Sequence, residues 1–284
     1  MTYLQYGETA RGPWSVEITP AVAGWTYAGL RVADLDGDPV SFDTGEEETL
    51  VLPLSGSCTV TCSAAGEPDV SWELAGRASV FDGPSDFAYI PISTQVTVTG
   101  RGRIAFPSAR ATRRSAPRHV PASEVPVEIR GAGQATRQVN NFCAPGVFAC
   151  DKLMAVEVLT PGGNWSSYPP HKHDTPHDGE AVLEEIYYFE VDRQGQGYQR
   201  VYTSERGHID TLAEVSSGDV VLVPYGYHGP SMAAPGYDLY YLNVLAGPAE
   251  ERSMAFCDDP RHTWIRSSWE GQEIDPRVPF GRAR

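Results

Sequence analysis

His171 and His173 stand two residues apart in the sequence. On an extended strand side chains alternate between faces, so both imidazoles point the same way. Two imidazoles side by side suit a divalent ion such as Zn, Mn, Fe or Ni. Pro169 and Pro170 come just before and favour an extended approach. Further on, Glu184 and Glu185 open an apolar run, Ile186-Tyr187-Tyr188-Phe189. Only one of these carboxylates can face the histidines. Glu185 shares a face with Tyr187 and Phe189, and Glu184 shares one with Ile186 and Tyr188, so alternation alone leaves the choice open. A third imidazole, His228, follows a run from Gly218 to Pro224 and the turn Tyr225-Gly226. Three histidines and one carboxylate make a mixed nitrogen and oxygen site with room for exchangeable ligands. His177 lies in a loop with Asp174, Asp178 and Glu180 and reads as solvated. His119, His208 and His262 have no partner pattern and read as structural or exposed.

The elements that must carry these residues are strands. Short β-branched and aromatic runs lie between turn signals, the pattern of a sandwich or barrel. One series comprises residues 49–54, 58–62, 70–74, 87–91 and 95–99. A second comprises 152–160, 183–191, 197–203, 219–224 and 237–245. No long apolar period of 3.6 residues appears, so helices are expected to be short. Between the two series, Ser108 to Gly133 is rich in proline and arginine and reads as a crossing linker. The expected organisation is two β-domains, 1–118 and 119–284. Residues 1–118 contain no histidine, so the second domain alone can hold the three-histidine site.

Composition narrows the function classes. The chain has 284 residues, is 41% hydrophobic and carries a formal net charge of -15. Such an acidic surface repels phosphate backbones, which argues against a nucleic-acid partner. No apolar run reaches the ~18 residues that span a bilayer. Residues 1–8 lack an apolar leader, and the five cysteines include no Cys-x-x-Cys pair. A cytoplasmic chain with reduced thiols is the expectation.

These motifs resemble the cupin superfamily, whose first motif runs glycine, His-x-His, Glu and whose second runs Gly, Pro-x-Gly, His and later Asn. Gly163 precedes His171, and Asn243 lies beyond His228. Two spacings depart from the usual pattern. Eleven residues separate His173 from Glu185 where about four are usual, and one residue rather than two separates Gly226 from His228. Longer stretches (161–174, 183–188, 197–203, 218–224, 235–243 and 259–264) resemble the 5-deoxy-glucuronate isomerases of inositol catabolism, most densely from 137 to 266. The 4-deoxy-5-hexosulose-uronate isomerases are similar but more distant. In them the ligand Glu precedes an aliphatic residue and two aromatics, which matches Glu185-Ile186-Tyr187-Tyr188.

The resemblance implies an all-β bicupin with a metal in its second domain on His171, His173, Glu185 and His228, with Zn or Mn foremost and Fe also fitting. It implies an aldose–ketose isomerase acting on a small uronic-acid sugar. The alternatives are an isomerase of 4-deoxy-5-hexosulose-uronate in pectin breakdown and a cupin dioxygenase with the same ligands, since fold does not fix function. The chemistry needs a proton moved between neighbouring carbons and a stabilised enediolate. Tyr241 and Asn243 share a face on one strand and are expected in the pocket together. From residues 197–203, Gln199 or Arg200 can enter, but not both. Arg200 and Arg137 are the candidates for the substrate carboxylate, which suits a bidentate guanidinium. A homo-oligomer is compatible with the free sheet edges expected of such a fold.

Overall fold

The computed structural model describes residues 2–177 and 179–281. Asp178, one of the acidic residues expected around His177, lies outside them. The regular structure of the described residues is mostly antiparallel strands in three sheets, as the turn-punctuated pattern predicts. A nine-stranded sheet occupies the N-terminal part, centred on the long strand Gln95–Arg110, which pairs with Ala28–Asp36, Val40–Asp43, Glu47–Pro53 and Gly56–Ser63. A seven-stranded sheet runs in the order Tyr3–Leu4, Val220–Val223, Glu184–Val191, Leu239–Ala246, Met154–Thr160, Arg137–Asn141, Val127–Arg130. The six-stranded sheet contains Gly207–Val215, Gly197–Ser204, Tyr227–Ala233, His171–Lys172 and Cys257–Asp258, with Trp165–Ser166 on the side of Tyr227–Ala233.

The seven-stranded sheet is covered on both faces, and this explains its near-continuous apolar sequence. Ile186, Tyr188, Tyr240, Leu242 and Val244 pack with Leu30, Leu50, Leu52 and Phe87 of the N-terminal sheet. The alternate residues Tyr187, Phe189, Tyr241, Val221 and Val223 pack with Val201, Ile209, Ala213 and Val215 of the six-stranded sheet. The second face therefore looks into a closed barrel and the first into the contact between the two halves. A separate core fills the N-terminal barrel, with Trp14, Phe42 and Phe106 in mutual edge-to-face contact.

Within the stretch expected to link the halves, the chain leaves one sheet and joins another. Arg118–Val120 pairs with Phe87–Ile90 on the N-terminal sheet, and Val127–Arg130 pairs with Arg137–Asn141 on the seven-stranded sheet. The chain start crosses the other way: Tyr3 and Leu4 pair with Val221 and Val220. Buried polar contacts add to the exchange. Arg77 meets Glu157 through two parallel hydrogen bonds of 2.8 Å, with both side chains buried. Glu48 accepts the backbone N–H groups of Asp151, Lys152 and Leu153. In the opposite direction, Glu184 accepts those of Thr26, Tyr27 and Ala28 at 2.6–2.9 Å.

Candidate metal centre

The barrel brings His171, His173, Glu185 and His228 together. His171 lies opposite His228 in the ladder between their strands, with ring centroids 4.7 Å apart. His173 lies 4.6 Å from His228, also between centroids. Glu185 leaves its strand on the barrel side, and its Oε2 is 2.9 Å from the Nε2 of both His173 and His228. Ligand atoms of His173, Glu185 and His228 all fall within 4.8 Å of one another, and His171 is not part of that group. Glu184 points the other way, to the backbone of residues 26–28.

The outer nitrogens of the imidazoles are taken by main-chain oxygens. His228 Nδ1 lies 2.7 Å from Gly226 O, His173 Nδ1 3.2 Å from Leu183 O and His171 Nδ1 3.3 Å from Pro169 O. A carbonyl oxygen only accepts, so each Nδ1 carries a proton, which leaves each Nε2 as the nitrogen that could meet a cation. The Nε2 atoms of His173 and His228 are thus aimed at the Glu185 carboxylate. The Nε2 of His228 is buried without a hydrogen-bond partner although Glu185 Oε2 is 2.9 Å away. Imidazole nitrogens and a carboxylate that converge in a dry site are a donor set that fits a divalent metal.

The fold fixes these groups. Gly229 has φ of 110°, and a Cβ there would stand 2.2 Å from Ser167 O and 2.8 Å from the His171 ring. Only glycine lets the His228 strand pass so close to His171. Gly226, with φ of 101°, turns the chain into His228, and its N–H is held by the Asp174 carboxylate at 2.9 Å. Asn243 donates Nδ2 to Glu185 Oε1 at 2.7 Å. Burial opposes the charge on Glu185, yet His173 and His228 hold its carboxyl well below the usual range. Burial, reinforced by His228, pushes the His171 imidazole well below its usual value, so it stays neutral.

A cleft of about 340 Å³ opens over this centre. Its apolar wall includes Val156, Val158, Leu183, Met254 and Phe256, and its polar groups include Ser167, Tyr187, Asn243, Arg130, Arg137 and Arg266. Arg130 is paired with Glu128 and Arg266 with Asp258. Arg137 is buried, donates to Ala135 O and stacks over Trp269, with no carboxylate within ion-pair distance among the described residues. Burial lowers its pKa to about 10, and Arg130 and Arg266 add to the shift. A buried cation without a counter-ion, next to two more arginines, is a ready anion site.

A model of the KduI/IolB family matches residues 3–265. The chain belongs to the KduI/IolB family. It is 41% identical over 263 residues to the 5-deoxy-glucuronate isomerase of Geobacillus kaustophilus, covering 89% of this chain and 91% of that one. The corresponding protein of Bacillus subtilis strain 168 is 37% identical over 278 residues, covering 93% and 99%. Among solved structures, an IolB-like protein from Salmonella typhimurium superposes with a TM-score of 0.85 at 35% identity, covering 93% of this chain and 99% of that one. Oxalate decarboxylase of Lactobacillus farciminis superposes with a TM-score of 0.64 at 12% identity, covering 89% and 88%, a likeness of fold alone. The cupin-type, all-β architecture expected from the motifs is thus the observed one.

In this KduI/IolB family member the remaining expected residues divide. Arg137 and Asn243 line the cleft. Arg200 does not: alternation turns it to the outer face, where it bonds Asp210 and Thr211 O and stacks over Tyr202. Gln199 takes the inward position but lies behind the cleft wall, with its Oε1 accepting from Ser231 and its Nε2 unpartnered. Tyr241 also lies behind the wall, its hydroxyl bonded to Ser166 and to the cleft residue Ser167. Asn243 touches Glu185, so it orients a carboxylate of the candidate centre. Arg130, Arg266, Tyr187 and Phe256 were not singled out from the sequence. Tyr187 alone carried a signal, its shared face with Glu185; the others arrive from a strand and a C-terminal segment with no motif.

Proposed function

We propose that this protein is a metal-dependent aldose–ketose isomerase that converts 5-deoxy-glucuronate to 5-dehydro-2-deoxy-gluconate. The observation that carries the reading is one cleft holding two things: imidazole nitrogens beside Glu185, and a buried arginine lacking a counter-ion. The kinship with 5-deoxy-glucuronate isomerases supports the same substrate. His171, His173, Glu185 and His228 would hold the divalent ion, Zn or Mn foremost and Fe also compatible. When bound, it supplies Lewis-acid stabilisation of the charge that develops on the two substrate oxygens.

The chain's own residues supply position and charge. Arg137, with Arg266 and Arg130 at the rim, takes the substrate carboxylate and fixes which end of the sugar enters first. Burial, together with the charge of Glu185, raises the Tyr187 phenol well above its usual value, so it stays protonated and can donate to a substrate oxygen. Asn243 keeps Glu185 in place. Phe256 and Met254 exclude water above the centre. A proton leaves the carbon beside the aldehyde and returns to the aldehyde carbon, and the hydroxyl proton of that neighbouring carbon passes to the aldehyde oxygen, with no net oxidation. The acid end becomes carbon 1 of the product, so the 5-deoxy carbon becomes carbon 2. The proposal places the enzyme in the cytoplasm, where a free sugar acid is met.

The test is an anaerobic assay of metal-loaded protein with 5-deoxy-glucuronate. Turnover without oxygen, lost on chelation and restored by divalent metal, is the expected result. Strict oxygen dependence would point to the dioxygenase reading and sink this one. Faster turnover of 4-deoxy-5-hexosulose-uronate would reassign the substrate.

A further inference from the structure

Two of the residues between His173 and Glu185, His177 and Glu180, meet Cys257 in a second set of metal-binding atoms. His177 Nε2 lies 2.9 Å from Glu180 Oε2 and 3.7 Å from Cys257 Sγ, and the three ligand atoms all lie within 4.8 Å of one another. We propose that His177, Glu180 and Cys257 form a second cation site, selective for a thiophilic divalent ion of the Zn²⁺ class and separate from the centre in the barrel.

The geometry, the charge and the ligand chemistry agree. Zn–S and Zn–N bonds at a tetrahedral angle place sulfur and nitrogen about 3.6 Å apart, close to the 3.7 Å between Cys257 and His177, while the 2.9 Å hydrogen-bond contact between His177 and Glu180 would open to about 3.3 Å. Imidazole, carboxylate and thiolate together favour Zn²⁺ over the oxygen-seeking Mg²⁺, Ca²⁺ and Mn²⁺. The carboxylate is already oriented: Glu180 Oε1 accepts the N–H groups of Asp174 and Thr175, and Lys172 Nζ sits 3.0 Å from both oxygens. Such outer contacts are what hold a metal ligand in place. Lys172 also bonds Asp174 at 3.0 Å and balances that charge. The charges of Glu180 and an ionised Cys257 then match those of a divalent cation. The His177 side chain is 47% exposed, which leaves an entry path for an ion.

The position gives the site a consequence. Glu180 belongs to the insert loop, whereas Cys257 sits opposite Lys172 on a short strand. The residue before it, Phe256, lines the cleft and packs on His171 with centroids 4.7 Å apart. The residue after it, Asp258, holds Arg266. A bound ion would clip this strand to the insert loop and fix one lip of the cleft.

Cobalt distinguishes the two sites, because only the second has a sulfur donor. Full-length protein stripped with a chelator is titrated with Co²⁺ and, in parallel, with Zn²⁺ against a chromophoric chelator. Two equivalents are expected, with a thiolate-to-cobalt charge-transfer band. Cys257→Ser should remove the band and one equivalent while circular dichroism stays unchanged, and His177→Gln should weaken the same equivalent. His173→Ala should remove the other equivalent and leave the band. Saturation without a thiolate band, or a band that survives in Cys257→Ser, would overturn the proposal. One equivalent with the band would uphold this site and instead count against the barrel centre.

Discussion

Glu184 and Glu185 are neighbours on one strand and face opposite ways. Glu185 meets His173 and His228, whereas Glu184 accepts three backbone N–H groups of residues 26–28. Their variants should therefore fail differently. Glu185→Gln should lose most of its metal, read by metal analysis after dialysis, with little change in fold. Glu184→Ala should keep its metal and lose at least about 2 kcal/mol of stability in urea unfolding, since even one hydrogen bond to a charged group is worth about 1.5–3 kcal/mol and three are removed. Equal metal loss in both would refute the assignment. At the other end of the cleft, Arg137→Met should raise KM about tenfold to a hundredfold through loss of a charge-assisted pair, with metal content unchanged. A KM within twofold of wild type would remove Arg137 from substrate recognition.

At the scale of elements, the strand carrying His228 is placed by two glycines. Gly229 lets it pass beside Ser167 and His171, and Gly226 turns it inward. Gly229→Ala should displace His171, weaken metal binding and lower the melting temperature. Unchanged metal affinity with an intact fold would show that the close approach is dispensable. Most of the strands that carry motifs were readable from β-branched runs. Ala28–Asp36, Arg137–Asn141, Gly207–Val215 and Tyr227–Ala233 were not. Arg137–Asn141 carries polar residues that are all buried, because Gln138 and Asn140 bond each other and Asn140 bonds Glu157. A sequence pattern reads such residues as surface. Tyr227–Ala233 is broken by Gly229 and Pro230, which look like turn signals although they lie within a strand.

At the scale of the molecule, the two halves hold each other through exchanged segments and buried charges. Arg77 and Glu157 form the most enclosed of the ion pairs between them. Arg77→Ala would leave Glu157 buried without its cation and should cost about 3–5 kcal/mol, measured by urea unfolding. A cost under about 1 kcal/mol would mean that the pair is hydrated. Acid should loosen the same contact through Asp151. Burial opposes its charge, but the N–H groups of Thr112 and Arg113 and the Arg113 guanidinium prevail and lower its pKa from 3.8 to about 2. A carboxyl with a depressed folded-state pKa stabilises the fold fully above its unfolded value, and that stabilisation fades as pH falls from about 4 through about 2. The stability gap between wild type and Asp151→Asn should be widest near neutral pH and narrow below pH 4. A gap independent of pH would exclude this carboxylate as the cause.

The sequence by itself determined the fold class, the three histidines and the half of the chain that holds them, because strand alternation and residue type are local properties. It narrowed the carboxylate to two neighbours and could go no further from alternation, since both faces of that strand are apolar. Only the tertiary structure decided which face looks into the barrel. It alone gathered Arg130, Arg137 and Arg266 from a strand pair and a C-terminal segment, and turned Arg200 outward to Asp210. Alternation allowed either Gln199 or Arg200 to enter, and burial settled it: the neutral amide is enclosed, while the guanidinium keeps contact with water and Asp210. The loop between His173 and Glu185 looked solvated for the same reason, because the Cys257 that approaches His177 comes from 80 residues further along the chain.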